Sequence, residues 1–189
     1  MTMDDLPKTA SAKPQPKTGA QPGRLSPEEA RKWATVGMLA AMALVLSYAE
    51  TFVPIPLPGV KLGLANAVVA VALALIDFKS GCCIAAIKVL ATGFLFGSPI
   101  MMAYSAAGTL LATLTMGLLI RLLGVDLVLA TVAGALMHIT GQLAVAWLML
   151  GTPLVWYSAP ILVLASSITG VATGMVAKKL ASPLEPIEA

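Results

Sequence analysis

The 189-residue chain is 58% hydrophobic and only 11% charged, with a formal net charge of +3 and a mean hydropathy of +0.90. A soluble domain carries about 25% charged residues to cover its surface, so this composition excludes a water-soluble globule and predicts a chain solvated by lipid. A helix needs roughly 20 apolar residues to span a bilayer. Six spans with short connections therefore consume nearly everything after residue 32 and leave little length for a second, soluble domain.

The chain opens on a segment unlike the rest. Residues 1–32 hold Lys8, Lys13, Lys17, Arg24, Arg31 and Lys32, with prolines at 7, 14, 16, 22 and 27 and no apolar periodicity. Such a segment buries too little surface to fold and reads as a disordered basic tail. Ser26, Pro27, Glu28 and Glu29 carry the pattern of a helix start: N-cap, first-turn proline, acidic first turn. The basic charges are read as holding this end in the cytoplasm rather than as a nucleic-acid surface.

The membrane domain is expected over residues 33–179, with a short cytoplasmic tail at 180–189. Helix one is predicted from Trp33 to Val53, ended by Pro54-Ile55-Pro56-Leu57-Pro58-Gly59, whose prolines cannot continue a helix. Ser47-Tyr48-Ala49 has the small-x-small form of a signal cleavage site, but a basic lead of 32 residues is too long for a signal peptide, so helix one is read as a retained span. Helix two is expected from near Lys61 to Ile76, an apolar stretch short for a full crossing. Helix three is placed at Ser80 to Gly97, four at Ile100 to Leu123, five at Leu127 to Leu150 and six at Leu154 to Ala177. The fold class is thus an all-α membrane protein, a bundle of six transmembrane helices.

Basic residues set the expected orientation. With the N-terminus inside, the tail, Lys79, Arg121, Lys178 and Lys179 place ten Lys/Arg on the inner side against Lys61 alone on the outer side. That bias favours an even number of spans and both termini in the cytoplasm. The setting it describes is that of a multi-pass membrane protein, expected in a bacterial inner membrane.

Several chemistries lack their residues. There is no GxxxxGK[ST] loop for ATP. Asp4, Asp5, Asp77 and Asp126 are the only aspartates, with no cluster to bind Mg²⁺, and His138 is the only histidine. Cys82 and Cys83 are adjacent within a span and lack metal-ligand spacing. The expectation is a non-enzyme without metal or cofactor.

The positive signal is polar residues inside apolar spans, where an ionisable group is costly and usually faces the bundle interior with a task. Lys88 falls near the middle of helix three and His138 near the middle of helix five. Gln142 follows His138 by one turn on the same face. Glu50 lies near the outer end of helix one, Lys61 at the outer start of helix two, and Asn66 about a turn further in. These groups are expected to line one cavity, floored by Lys88 and His138 and with Glu50, Lys61 and Asn66 at its mouth. A buried lysine without a partner either sheds its proton or meets an anion. Two lysines and a histidine against one glutamate favour an anionic ligand such as phosphate, diphosphate or carboxylate. The less specific readings are that Lys61 snorkels, that Glu50 pairs with Lys61, and that His138 and Gln142 only join neighbouring helices. Small residues recur four apart at Gly37/Ala41, Gly108/Ala112 and Ser166/Gly170/Gly174, a spacing that lets helices pack closely.

The stretch Glu50 to Asn66, ETFVPIPLPGVKLGLAN, resembles the membrane family named heptaprenyl diphosphate synthase component I, also called the Gx transporter family. KVLATGFLFGSP (Lys88 to Pro99) and GALMHITGQL (Gly134 to Leu143) match its later motifs. The resemblance implies a six-helix fold similar to the substrate-binding S components of energy-coupling-factor vitamin transporters. There the ligand sits in the outer half, under the loop between helices one and two, so that Pro54, Pro56, Pro58, Gly59 and Lys61 would belong to a lid.

Three functions compete. The leading expectation is a subunit that captures a small, anionic molecule for uptake, with Lys88, His138, Gln142 and Asn66 binding it and Glu50 and Lys61 holding the lid. Lacking an ATPase motif, it would need partner ATPases and a coupling membrane subunit, or act alone as a facilitator. The second is a non-catalytic accessory membrane subunit docking a soluble polyprenyl diphosphate synthase. The third, a proton-coupled carrier using Glu50 and His138, predicts two related halves, which the sequence does not display.

Overall fold

The computed structural model describes residues 25–54, 61–96 and 98–181. Most of the expected N-terminal tail, the lid residues Pro56, Pro58 and Gly59, and positions 182–189 lie outside the described residues. Six α-helices follow one another: α1 (Pro27–Ala49), α2 (Asn66–Leu75), α3 (Phe78–Phe96), α4 (Pro99–Arg121), α5 (Leu127–Leu150) and α6 (Ala159–Ala181). There is no strand among the described residues. Five segments are long and apolar enough to cross a membrane: Pro27–Phe52, Phe78–Leu95, Pro99–Arg121, Leu127–Leu150 and Pro153–Lys179.

Local chemistry explains the ends. Ser26 Oγ accepts from the Glu29 N–H at 3.2 Å, and the Glu29 carboxylate accepts from the Ser26 N–H at 2.9 Å. This reciprocal capping box starts α1 at Pro27 rather than Trp33, so residues 27–32 belong to the helix and not to the tail. At its far end α1 tightens into a 3₁₀ turn, Glu50–Phe52, before Val53 becomes extended. Ser98 caps α4 and Asp126 caps α5. Gly151 closes α5 in the left-handed region at φ +62°, a conformation that costs a residue with a Cβ. The expected start of helix six at Leu154 is corrected to Ala159, because Pro153–Ser158 form a 3₁₀ turn first.

The larger correction concerns helix two. It begins at Asn66, not near Lys61, and its ten residues rise only about 15 Å, half of a hydrocarbon core of about 30 Å. The chain before it, residues 61–65, is nevertheless largely buried, with Lys61, Gly63 and Ala65 all inside the bundle. This part of the chain is thus an irregular segment followed by a half-length helix.

Contacts at one end of the bundle fix the up-down order. Lys32 at the start of α1 pairs with Asp77 between α2 and α3. Arg121 at the end of α4 donates from Nε to the Leu73 carbonyl of α2 at 2.6 Å. Lys178 near the end of α6 pairs with Asp126 before α5 at 2.5 Å. The first and last helices therefore begin and end at the same end of the molecule.

Two apolar clusters hold the helices. Val36, Ala43, Val69, Leu73, Ile84 and Met116 join α1 to α4 around α2. Tyr104, Ile139, Leu143, Ala146, Val155 and Leu162 join α4, α5 and α6. Glycine sets the closest crossings. A Cβ on Gly141 of α5 would lie 2.8 Å from the Ala107 carbonyl oxygen of α4, and one on Gly170 of α6 would lie 2.8 Å from the Val132 Cα. The small-residue stripe of α6 thus packs inside the bundle. That of α1 does not, since a Cβ on Gly37 would meet nothing within 4 Å. Large apolar side chains such as Phe94, Leu122, Leu148 and Ile168 point outward, which suits lipid and not water.

Candidate functional site

The buried polar residues converge where α2 begins. Lys88 stands ten residues into α3 and His138 eleven residues into α5. At about 1.5 Å per residue both lie some 15 Å from the end that carries the ion pairs, level with Asn66 at the start of α2. Lys88, Asn66, His138 and Gln142 are each at most 4% exposed.

Lys88 Nζ donates to Asn66 Oδ1 at 2.6 Å. The Thr92 hydroxyl, one turn further along α3, donates back to the Lys88 carbonyl, and its oxygen lies 3.3 Å from Ser47 Oγ of α1. Lys61 Nζ reaches the same serine, 3.4 Å from its hydroxyl and 3.5 Å from its carbonyl. Gln142 grips the backbone of Lys61 at two points. Its Oε1 accepts from the Lys61 N–H and its Nε2 donates to the Lys61 carbonyl, each at 2.8 Å. The Glu50 carboxylate accepts from the Leu64 N–H. Irregular backbone inside a membrane protein needs its polar groups paired with protein or water; here Gln142 pairs both backbone groups of Lys61 and Glu50 pairs the Leu64 N–H.

Gly63 sits at φ +88° against the Asn66 amide and the His138 ring. A Cβ there would fall 2.9 Å from both Asn66 Nδ2 and His138 Cδ2. The far side of the imidazole rests on α4, where a Cβ on Gly108 would come within 2.7 Å of His138 Nδ1. Two buried polar atoms of the cluster, Asn66 Nδ2 and His138 Nδ1, have no hydrogen-bond partner among the described residues. Beside Asn66 a space of about 10 Å³, bordered by Gly63, Met116, Thr131, Thr169 and Thr173, runs toward the ion-pair end. It is the size of a single water.

The geometry brings Lys88, His138, Gln142, Asn66, Glu50 and Lys61 together, though not Pro54, and it redistributes their places. Lys61 is not at an outer mouth but 6% exposed inside the bundle. Glu50 staples the irregular segment through the Leu64 backbone, and no ion pair between Glu50 and Lys61 forms among the described residues. Gln142 spends its amide on Lys61. Pro54 is exposed. Ser47, Thr92, Gly63 and Gly108 are site residues that sequence reasoning missed. Ser47 and Thr92 stand one turn from Glu50 and Lys88, and that spacing is the signal that could have found them.

By formal charge the cluster holds two ammonium groups and one carboxylate, since Glu50 is the only acid among the described buried residues. An excess cation of this kind suits an anion. Among the described residues no group of three or more potential metal ligands forms.

These features define a helical, multi-pass membrane protein with a buried cationic cluster beside the irregular segment that precedes α2. The chain belongs to the family described as heptaprenyl diphosphate synthase component I, whose model matches residues 39–180. No curated protein and no solved structure matches the chain.

Proposed function

We propose that this protein is a substrate-capturing membrane subunit for uptake of a small anionic molecule, energised by partner ATPase and coupling membrane subunits. The observation that carries the reading is Lys88, an ammonium group at mid-depth whose hydrogen-bond partner is the neutral amide of Asn66. It faces the start of a half-length helix, whose dipole also favours an anion. The excess positive charge, the orphaned Asn66 Nδ2 and the orphaned His138 Nδ1 lie together. An anion accepted by Lys88 and Asn66 would complete the charge balance.

In this reading the chain crosses a bacterial inner membrane six times, the second time through residues 61–65 and α2. Both termini are cytoplasmic, since the end bearing Lys32, Lys79, Arg121 and Lys178 is the basic one. A basic N-terminal tail and a short C-terminal tail flank the domain, in an arrangement like that of the S components. Residues 61–65 cover the cluster in this reading, and Gln142 and Glu50 fasten them through the Lys61 and Leu64 backbone. The chain itself catalyses nothing.

The second reading, favoured by the family's name, is a non-catalytic accessory membrane subunit of polyprenyl diphosphate synthesis that holds a soluble synthase at the cytoplasmic face.

Native mass spectrometry of the gently extracted protein separates the two. Capture predicts a retained small anion and co-purifying ATPases; a bound prenyl synthase with an empty bundle would overturn it. Lys88→Ala is expected to weaken anion binding about 10- to 100-fold, the range for a hydrogen bond to a charged group, with the thermal unfolding midpoint nearly retained. Unchanged affinity would remove Lys88 from the site.

A further inference from the structure

The last two turns of α4 carry a second feature, at the end of the bundle that holds the ion pairs. A hollow of about 380 Å³ opens there, walled by Phe78, Leu114, Gly117, Leu118 and Leu122 and bordered by Arg121. Leu114, Gly117, Leu118 and Arg121 follow at helical spacing on one stripe of α4. From Leu114 to Arg121 that stripe rises about 10 Å, with its apolar side chains on the bundle side of the guanidinium. Phe78, the first residue of α3, closes one side, and its ring takes the space that a Cβ on Gly117 would need. The hollow is separate from the polar cluster, which meets α4 at Gly108.

The charge at this end is unbalanced. Arg121 Nε donates to the Leu73 carbonyl in the last turn of α2, which fixes the side chain through one N–H. Among the described residues the other guanidinium N–H groups meet no acceptor. Lys79, next to Phe78, is exposed and has no acidic partner among the described residues. Asp77 is the only acid between Leu73 and Phe96, and Lys32 takes it. A cation thus borders an apolar hollow, with a second cation beside its wall and no acid left to answer either. A guanidinium held by one N–H and open at the others suits the paired oxygens of a phosphate. Basic pockets between helices at a membrane face are where anionic head groups bind.

We propose that this hollow binds one anionic phospholipid of the surrounding bilayer, its phosphate on Arg121 and the start of an acyl chain against Leu114, Gly117 and Leu118. The order of polarity along α4, cation at the helix end and apolar wall further in, is the order along such a lipid standing in its leaflet. Free phosphate would use the cation and leave the apolar wall uncovered. A zwitterionic lipid would leave the excess charge in place. Arg121 also holds α2, and Phe78 begins α3, so an occupied site clamps three helices together. The site goes beyond the capture reading and does not depend on it.

The test is native mass spectrometry of the purified full chain, released from nanodiscs made of equal parts dioleoylphosphatidylglycerol and dioleoylphosphatidylcholine. One retained phosphatidylglycerol per chain is expected, in clear excess over phosphatidylcholine. That adduct should fall about tenfold in Arg121→Gln, and fall as well in Leu114→Trp, which fills the hollow and leaves the cation in place. Equal retention of the two lipids would show ordinary annular lipid and overturn the assignment. Unchanged retention in either variant would overturn it too. Leu114→Trp keeps the contact between Arg121 and the Leu73 carbonyl, so it decides the matter if Arg121→Gln fails to fold. Displacement of phosphatidylglycerol by inorganic phosphate would show a site for the free anion, and would overturn the lipid as its occupant.

Discussion

Gly63 shows how much of the candidate site depends on a residue with no side chain. Its φ of +88° is costly for any residue with a Cβ, and the space a methyl would need is held by Asn66 and His138. Gly63→Ala is expected to lower stability by about 1–3 kcal/mol, measured by thermal unfolding in detergent, with Asn66 or His138 displaced. An unperturbed melting curve would show that the backbone at 63 relaxes elsewhere. The ionisable members of the cluster were legible in the sequence, because a lysine, a histidine or a glutamate inside an apolar run is costly and therefore conspicuous. Ser47, Thr92 and Gly63 were not. A hydroxyl in a membrane helix can satisfy itself on its own backbone, as Thr140 does with the Leu136 carbonyl, and glycine is abundant in this chain. Their roles exist only once the helices meet.

At the scale of elements, five of the six helices were readable from apolar length and punctuation. The bounds of α5, Leu127–Leu150, coincide with the expectation because both caps, Asp126 and Gly151, are chemically explicit. Helix two was misjudged for a physical reason. Leu62 to Ile76 is apolar apart from Asn66, and apolarity reports burial without reporting helix. Here the first part is buried as irregular backbone, a state that exists only because Gln142 arrives from eighty-one positions away. Gln142→Leu keeps the bulk and strands the Lys61 N–H and carbonyl, at about 1–3 kcal/mol for each group left unpaired. Hydrogen exchange at Lys61 and Leu62 should accelerate while α3 and α5 stay protected. Gln142→Glu, which keeps the acceptor and loses the donor, should fall between. Exchange that rises equally across all helices would mean that Gln142 supports the whole bundle and not the lid alone.

The whole molecule is closed at one end by two ion pairs that join the outermost helices to the turns between the others. The Lys32 ammonium beside Asp77, together with the Ser80 N–H, holds that carboxyl well below the usual carboxylate range. Lys178 and the Val128 N–H do the same for Asp126. A carboxyl whose folded value is depressed stabilises the fold above its unfolded value, near pH 4, and the contribution is lost as pH falls toward the folded value. Both pairs are exposed, so the effect is modest and weakened by salt. The melting temperature should therefore decline as the pH falls from about 5 toward 2, and decline less in the doubly substituted Asp77→Asn/Asp126→Asn protein. Parallel declines would assign the acid sensitivity to other carboxyls.

The half-length α2 also constrains the order in which the protein can be made. A ribosome-bound chain that has delivered only its first three helices to the membrane has no Gln142 with which to cover the backbone of Lys61, and bare peptide groups are not tolerated in hydrocarbon. The segment before α2 must wait outside the lipid interior until α5 has been synthesised, then fold inward as a late step of biogenesis. A nascent chain stalled before α5 would leave this segment where a membrane protease could reach it, and the finished protein would not.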